Sequence, residues 1–394
     1  MVIAKSSTIL IILAFIVTII ATDIYLPSLP DMAIFFNCSP DTLQLSIPFY
    51  MVGGLLSTPI FGIFSDHFGR KWTIIGGLGA FIFGSFLCFE ASSLMMLLIG
   101  RFIQGIGGIA VPVVGWAAIQ DHYPGQKGAT VMSWMGCVVS LGPLLAPSLG
   151  GYIDTAFGWR GNFFFIFVFS LCVIVLMIFY LSDHRGLIQK KKLNASEAID
   201  SYTVVFKNKK FLTYIILYSC LICGELCYLT IIPFFFQSSL HLTSDFIGIY
   251  ISSVSIAYIA GTFLASRIIQ YVGVNKSILI GIIVSLFGAL TLLFLSFLQL
   301  LFLTPILLAI GFYMAGAALV WGPSTSAALQ LFTEKKGAAS AVRSLVITAA
   351  LGVGGFVGSI LDDFSIKPLA IFLVAMCILS LSLYFYLEQK NNNH

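Results

Sequence analysis

Long apolar segments separated by short polar joints dominate the hydrophobic pattern of this chain. A helix that crosses the hydrocarbon core of a bilayer needs about 20 mostly apolar residues, and twelve segments reach that length. They cover 7–29, 42–65, 73–90, 94–117, 127–152, 159–182, 211–236, 245–270, 276–297, 299–322, 336–361 and 367–387. Because a backbone in lipid must satisfy its own hydrogen bonds, each segment is predicted to be an α-helix.

One long polar interruption divides these segments into two groups of six. It predicts an N-terminal six-helix bundle over 1–182, a linker over 183–210 and a C-terminal six-helix bundle over 211–394. A weak repeat supports two related halves, since a glycine-containing joint over 261–276 follows the eighth segment as a charged joint follows the second. The predicted fold class is an all-α membrane protein with 12 transmembrane helices.

Composition and charge agree with this class. Of the 394 residues, 59% are hydrophobic and 9% are charged, against about 25% charged in soluble domains. Lys and Arg fall mainly in alternate joints, so the positive-inside rule predicts that both termini and the linker are cytoplasmic. The net charge of +4 follows from this bias and does not indicate nucleic-acid binding. Lys190 to Lys192 suggest contact with anionic lipid, although a solvated linker face is the simpler interpretation.

The charged joint over 62–71 carries the most specific motif. Gly69 suits a left-handed helix terminus, and the two basic residues after it suit a headgroup layer. The spacing G-x-x-x-D-x-x-G-R-K resembles the signature loop between spans two and three of the major facilitator superfamily of secondary transporters. The resemblance implies two six-helix halves with a midplane substrate site. It also implies a cytoplasmic gate that contains Gly62, Asp66, Gly69, Arg70 and Lys71, with Asp66 facing the start of span eleven.

Asp23 lies within the first apolar segment. An acid inside the membrane costs several kcal/mol unless it is paired, protonated or facing water, so a functional role is the first hypothesis. A carboxylate that balances burial against a nearby cation can release a proton on one side of the membrane and regain it on the other. The alternative is an acid at the periplasmic headgroups, with the span ending early at Pro27.

Arg101 in the fourth segment is a candidate for that cation. Its guanidinium must meet an acid, backbone carbonyls, water or substrate. The sequence around it resembles the superfamily's span-four motif R-x-x-Q-G-x-G, whose arginine is implicated in proton coupling, and Gly105 and Gly107 permit close helix packing. A purely structural ion pair is the alternative.

The fifth segment contains two prolines and several small residues, which predict a kinked helix that packs closely against a neighbour. The pattern resembles the superfamily's antiporter motif, with Ala146 and Pro147 inserted, and favours export over import. The motif residues are Gly142, Pro143, Pro147, Gly150 and Gly151.

The stretch 22–30, T-D-I-Y-L-P-S-L-P, resembles the opening signature of the Bcr/CflA group of drug:proton antiporters. The Gly158-Trp159-Arg160 corner is also typical of that group. The resemblance implies proton-driven efflux of small molecules from the bacterial cytoplasm across the inner membrane. Some members carry a second acid earlier in span one; here 13–19 contains none.

Glu225 in the seventh segment is a further candidate for taking protons or attracting a cationic substrate. A structural acid that burial keeps protonated is an equal alternative. Other intramembrane side chains are candidates for lining a substrate cavity, although helix packing or lipid contact suits each as well. They are Tyr25, Gln44, Tyr50, Gln104, Trp116, Trp134, Tyr228, Gln237 and Trp321.

Cys220, Cys223 and Cys227 share a helix face, but buried thiols acting as small apolar groups are a simpler interpretation than a metal site. No metal or cofactor is predicted, no catalytic constellation indicates an enzyme, and a nucleotide-binding loop is lacking. The sequence thus predicts a proton-coupled exporter of amphiphilic drugs, monomeric by family resemblance. The alternative is a dedicated exporter of one endogenous compound, such as a siderophore, peptide or sugar.

Overall fold

The computed structural model describes residues 2–122, 126–181, 202–300, 302–332, 336–361 and 365–392. Within these ranges it describes all side chains except those at 2–6, 63, 66, 117, 120–140, 336 and 390–392. The described chain is helical, with short turns and no strand. The helices are α1 (Val2–Asp23), α2 (Leu29–Phe36), α3 (Pro40–Gln44), α4 (Ser46–Phe68), α5 (Arg70–Phe89), α6 (Leu94–Gly108), α7 (Ala110–His122), α8 (Gln126–Phe157), α9 (Arg160–Tyr180), α10 (Lys209–Leu240), α11 (Ser244–Val272), α12 (Val274–Phe297), α13 (Leu303–Gln330), α14 (Lys336–Gly358) and α15 (Ile366–Asn392).

Eleven stretches of the described chain are long and apolar enough to cross a membrane. Each overlaps one of the predicted segments, with ends that differ by a few residues in most cases. The remaining predicted segment, 127–152, lies within α8, where many side chains are outside the described set. The prediction of an all-helical, multi-pass membrane protein is therefore confirmed at this level.

The first span is longer than predicted and is broken in the middle. α1 ends at Asp23, a 3₁₀ turn covers Leu26–Ser28, and α2 continues to Phe36. Each of the two later pieces has a proline in its first two positions, where the missing N–H costs no intrahelical hydrogen bond. The prediction that the span ends near residue 29 is wrong, because these prolines restart the helix.

The chain divides into two compact units. The first comprises Met1–Leu193 together with Thr243–Ile249, and the second comprises Asn194–Leu242 and Tyr250–His394. The domain limits predicted from the sequence remain predictions, and assignment of Thr243–Ile249 to the first unit was not among them.

One joint in each unit has the same unusual backbone. Gly69, between α4 and α5, has φ 88° and ψ 160°; Gly273, between α11 and α12, has φ 80° and ψ 174°. This region is accessible almost only to glycine. The predicted need for glycine at position 69 is confirmed. The predicted left-handed helical terminus is wrong, because ψ at Gly69 is extended. The matching geometry supports the internal repeat.

Candidate functional site

Asp23 is a buried acid at the break in the first span. Its side chain is 9% exposed, and the hydroxyl of Thr22 donates a hydrogen bond to Asp23 Oδ1 at 2.9 Å. The positive charge of Arg101 also acts on this carboxylate. Apolar helical chain continues beyond the break to Phe36, and the depth of Asp23 in the membrane remains a prediction.

Arg101 is 1% exposed and joins three spans. Its Nε donates to the backbone oxygen of Ser46 at 3.4 Å, and its Nη1 donates to that of Ala21 at 3.2 Å. The guanidinium lies 4.4 Å from the ring centroid of Tyr25 and 4.5 Å from that of Tyr50. Aromatic faces and carbonyl oxygens both stabilise a desolvated cation, so this arginine is held as a charged group near Asp23.

Gln104 fixes the orientation of Arg101. Its Oε1 accepts a hydrogen bond from Arg101 Nη1, and its Nε2 donates to Ser85 Oγ at 2.9 Å. One turn separates Gln104 from Arg101 on α6, so the side chains share a helix face. The structure thus brings together five residues that the sequence had proposed separately: Asp23, Tyr25, Tyr50, Arg101 and Gln104.

Other proposed cavity residues of the first unit have different surroundings. Trp116 packs edge-on against Phe15, with ring centroids 5.2 Å apart, in a cluster of apolar side chains. Gln44 is fully buried at the end of α3. The side chain of Trp134 lies outside the described residues.

Close packing around α6 depends on its glycines. A Cβ on Gly105 would lie 2.0 Å from the backbone oxygen of Tyr50, and one on Gly107 would lie 2.3 Å from the backbone nitrogen of Phe81. Backbone atoms cannot move aside as a flexible side chain can. The predicted close approach of neighbouring helices at both glycines is confirmed.

We therefore expect Gly105→Ala to destabilise the protein by about 1–3 kcal/mol or more, as overpacking of a tight core does. Gly79→Ala is the matched control, because a Cβ there meets nothing within 4 Å and alanine favours a helix. Thermal unfolding in detergent should show a lower Tm for Gly105→Ala alone. An unchanged Tm for Gly105→Ala would contradict the packing described here.

α8 packs against the break in the first span through the small residues of its motif. A Cβ on Gly150 would lie 1.6 Å from the backbone oxygen of Ile24, and one on Gly142 would lie 2.4 Å from Ile19 Cγ2. Pro143 and Pro147 lie inside this helix. The motif helix is thus in contact with the residue that follows Asp23.

The C-terminal part of α8 also contacts the segment Thr243–Ile249, which belongs to the first unit. A Cβ on Gly151 would lie 2.2 Å from the backbone oxygen of Ser244. Ser148 Oγ donates to the backbone oxygen of Gly248 at 3.5 Å, and Ser244 Oγ donates to Asp31 Oδ2 at 3.2 Å. The antiporter-like motif therefore has two neighbours, the first span and this segment.

Both basic residues of the charged joint donate hydrogen bonds to nearby oxygen atoms. Arg70 Nη1 donates to Ser65 Oγ, and Lys71 Nζ donates to the backbone oxygen of Ile178 at 2.9 Å. Gly62 lies within α4. The side chain of Asp66 lies outside the described residues, so its role in a gate remains a prediction.

Glu225 is half-buried in α10 and lies among tyrosines of the second unit. Four tyrosines of this unit interact electrostatically with Glu225. They are Tyr218 and Tyr228 on α10, Tyr258 on α11 and Tyr313 on α13. Two other candidates lie elsewhere: Gln237 is about 18 Å further along α10, and Trp321 is half-buried in α13.

Sequence reasoning missed Arg343. It is the eighth residue of α14, lies within the predicted span 336–361, and interacts electrostatically with Tyr218. A single arginine inside an apolar segment is the signal that identified Arg101, and the same signal is present here. Cys220, Cys223 and Cys227 are buried thiols, and the described residues contain no cluster suited to a metal ion.

Comparisons with known proteins agree with the family predicted from the sequence. Residues 11–344 and 214–394 match a family model described as the Major Facilitator Superfamily. A bicyclomycin resistance protein homolog of Haemophilus influenzae is 24% identical over 372 residues, which cover 94% of this chain and 92% of that protein. The chloramphenicol resistance protein CraA of Acinetobacter baumannii is 28% identical over 274 residues, which cover 70% of this chain and 66% of that protein.

A solved structure gives the same fold at low sequence identity. The crystal structure of a D-xylose-proton symporter superposes with a TM-score of 0.78 and 16% identity, and the match covers 96% of this chain and 97% of that chain. This likeness shows the fold alone. The drug-resistance relatives are transporters and not enzymes, and they agree with the resemblance to the Bcr/CflA group.

Proposed function

Because the chain belongs to the Major Facilitator Superfamily, we propose that it exports small amphiphilic drugs in exchange for protons. The single observation that carries this proposal is the buried pair of Asp23 and Arg101 at the break in the first span. Discontinuous helices and intramembrane charges mark ion and substrate pathways in transporters. The drug-resistance names of the relatives favour drugs over a dedicated siderophore, peptide or sugar as substrate.

In this proposal, Asp23 carries the proton. Protonation removes its charge and its attraction to Arg101, which favours one orientation of the protein; release restores the attraction and favours the other. A ligand shifts such an equilibrium only through its different affinity for the two states. Substrate binding and protonation at Asp23 therefore exclude each other, and alternating access couples the two fluxes. Glu225 is a second candidate for proton uptake in the other unit.

The proposed topology has 12 membrane-spanning helices, with α8 as the span beyond the eleven candidates. The positions of Lys and Arg support cytoplasmic termini and a cytoplasmic linker, in the inner membrane of a bacterium. The working unit is a monomer surrounded by lipid. Its transported partners are a small molecule and protons.

Export itself can be tested in a bacterial strain that lacks its own drug exporters. Expression of the wild-type chain should lower the cellular accumulation of chloramphenicol or a lipophilic cationic dye, and a protonophore should abolish this difference. Equal accumulation with and without the protein, at verified membrane levels, would contradict export of these compounds.

The charged joint gives a separate prediction for the cytoplasmic gate. Asp66→Asn should slow turnover by roughly tenfold while substrate affinity changes little, because a gate residue acts on a conformational step and not on the bound ligand. His67→Asn, at the exposed neighbouring position, is the control. Transport rates and equilibrium binding should be measured on the same preparations, and intact turnover in Asp66→Asn would refute the gate.

A further inference from the structure

Three buried polar side-chain atoms on α10 and α14 of the second unit lack hydrogen-bond partners among the described residues. They are Arg343 Nε, Tyr228 Oη and Ser219 Oγ. Buried polar groups are normally hydrogen-bonded, and leaving an N–H of a guanidinium unpaired inside a membrane protein is costly. A hydroxyl can donate or accept, but Arg343 Nε can only donate, so the partner that it lacks is an acceptor.

The two intramembrane arginines, Arg101 and Arg343, differ in the hydrogen bonds that their Nε atoms make. Arg101 Nε and Nη1 donate to the backbone oxygens of Ser46 and Ala21, so Arg101 Nε has a protein acceptor. Arg343 Nε has no such acceptor. Since arginine stays protonated in proteins, Arg343 presents a positive charge with an unused donor.

The surroundings of Arg343 define the kind of ligand. Tyr218 interacts electrostatically with both Arg343 and Glu225. Tyr218 and Glu225 are seven residues apart on α10, so they lie on one helix face. α14 approaches α10 closely, because a Cβ on Gly354 would lie 2.1 Å from the backbone oxygen of Cys223. The cation thus interacts electrostatically with an aromatic side chain on the neighbouring helix.

We propose that Arg343 is the anion-binding residue of a substrate site in the second unit, and that it pairs with the carboxylate of an aromatic, amphiphilic compound. This inference rests on the proposed export function. Arginine matches a carboxylate with two parallel N–H···O bonds, and tyrosine rings provide flat apolar surface with a polar edge.

Binding of two probes that differ only in their charge tests the proposal. N-dansylglycine carries a carboxylate, and its methyl ester does not; the dansyl group reports binding by fluorescence. In detergent, the wild-type protein should bind the acid roughly tenfold or more tightly than the ester, as expected for a charge-assisted bidentate pair. Arg343→Gln should abolish this preference, with little effect on the affinity for the ester.

Two further variants keep the test decisive. Arg343→Lys retains the charge and should keep a reduced preference for the acid, even if Arg343→Gln folds poorly. Arg267→Gln removes an exposed arginine of the same unit and should leave both affinities unchanged. The proposal is overturned if the wild-type protein binds both probes equally or neither, or if Arg343→Gln weakens both alike.

The binding test also separates this inference from the proposed function. It needs no pH gradient, so a preference for the acid that depends on Arg343 would support the anion site even in a protein that moves no protons. Loss of proton-driven export with this preference intact would contradict the proposed function alone.

Discussion

Asp23→Asn should reduce export driven by a pH gradient to the background of vesicles that lack the protein. Asparagine has nearly the same shape and can still accept the hydrogen bond that Thr22 donates, but it cannot carry a proton through the cycle. Because neutral asparagine mimics protonated Asp23, which excludes substrate in this account, the substrate affinity at equilibrium should also fall. Export should be measured in proteoliposomes with an imposed pH gradient, and binding in detergent.

The control for this substitution is Asp41→Asn, which removes an exposed acid at the start of α3 and should leave export intact. Export at the wild-type rate in Asp23→Asn would remove Asp23 from the mechanism. Glu225 would then become the principal candidate for proton coupling.

Arg101→Gln should also abolish proton-driven export, for a related reason. Without the cation, an ionised Asp23 loses its electrostatic stabilisation, so release of its proton becomes less favourable. The substitution also removes donors to Ser46 and Ala21, and the loss of such buried hydrogen bonds costs about 1–3 kcal/mol. Export and Tm should therefore both fall.

Arg101→Lys distinguishes coupling from a structural ion pair. It keeps the charge near Asp23 but loses the planar fork, so partial export with an unchanged pH dependence is expected. Arg160→Gln is the control, because Arg160 donates to the backbone oxygen of Ala91 and stacks on Phe35 and Trp159. It should lower Tm without changing the pH dependence. Normal export by folded Arg101→Gln would show that Arg101 is only structural.

The amino-acid sequence predicts the helices of this protein well because lipid imposes both their length and their hydrophobicity. The break in the first span was harder to predict from the sequence. Pro27 and Pro30 indicate an interruption, but continuation as α2 to Phe36 depends on packing in the first unit. Assignment of Thr243–Ile249 to that unit likewise depends on contacts between residues far apart in the chain.

The candidate sites also contain features that the sequence could predict and features that only the structure could reveal. Asp23 and Arg101 were identifiable as isolated charges in apolar segments, but the placement of Arg101 over Tyr25 and Tyr50 required the structure. Trp116 carried no signal that could separate a cavity position from the apolar cluster in which it packs. Arg343 carried the full signal of an intramembrane charge, and its unpaired Nε became apparent only from three-dimensional contacts.

Proton antiport is tested most directly by the pH inside energised, everted membrane vesicles on addition of a transported compound. With the wild-type protein, chloramphenicol or a lipophilic cationic dye should trigger proton efflux and a partial collapse of the gradient, and Asp23→Asn vesicles should show none. A gradient that stays unchanged while the compound is demonstrably transported would contradict proton coupling. An equal collapse with Asp23→Asn would contradict the role of Asp23.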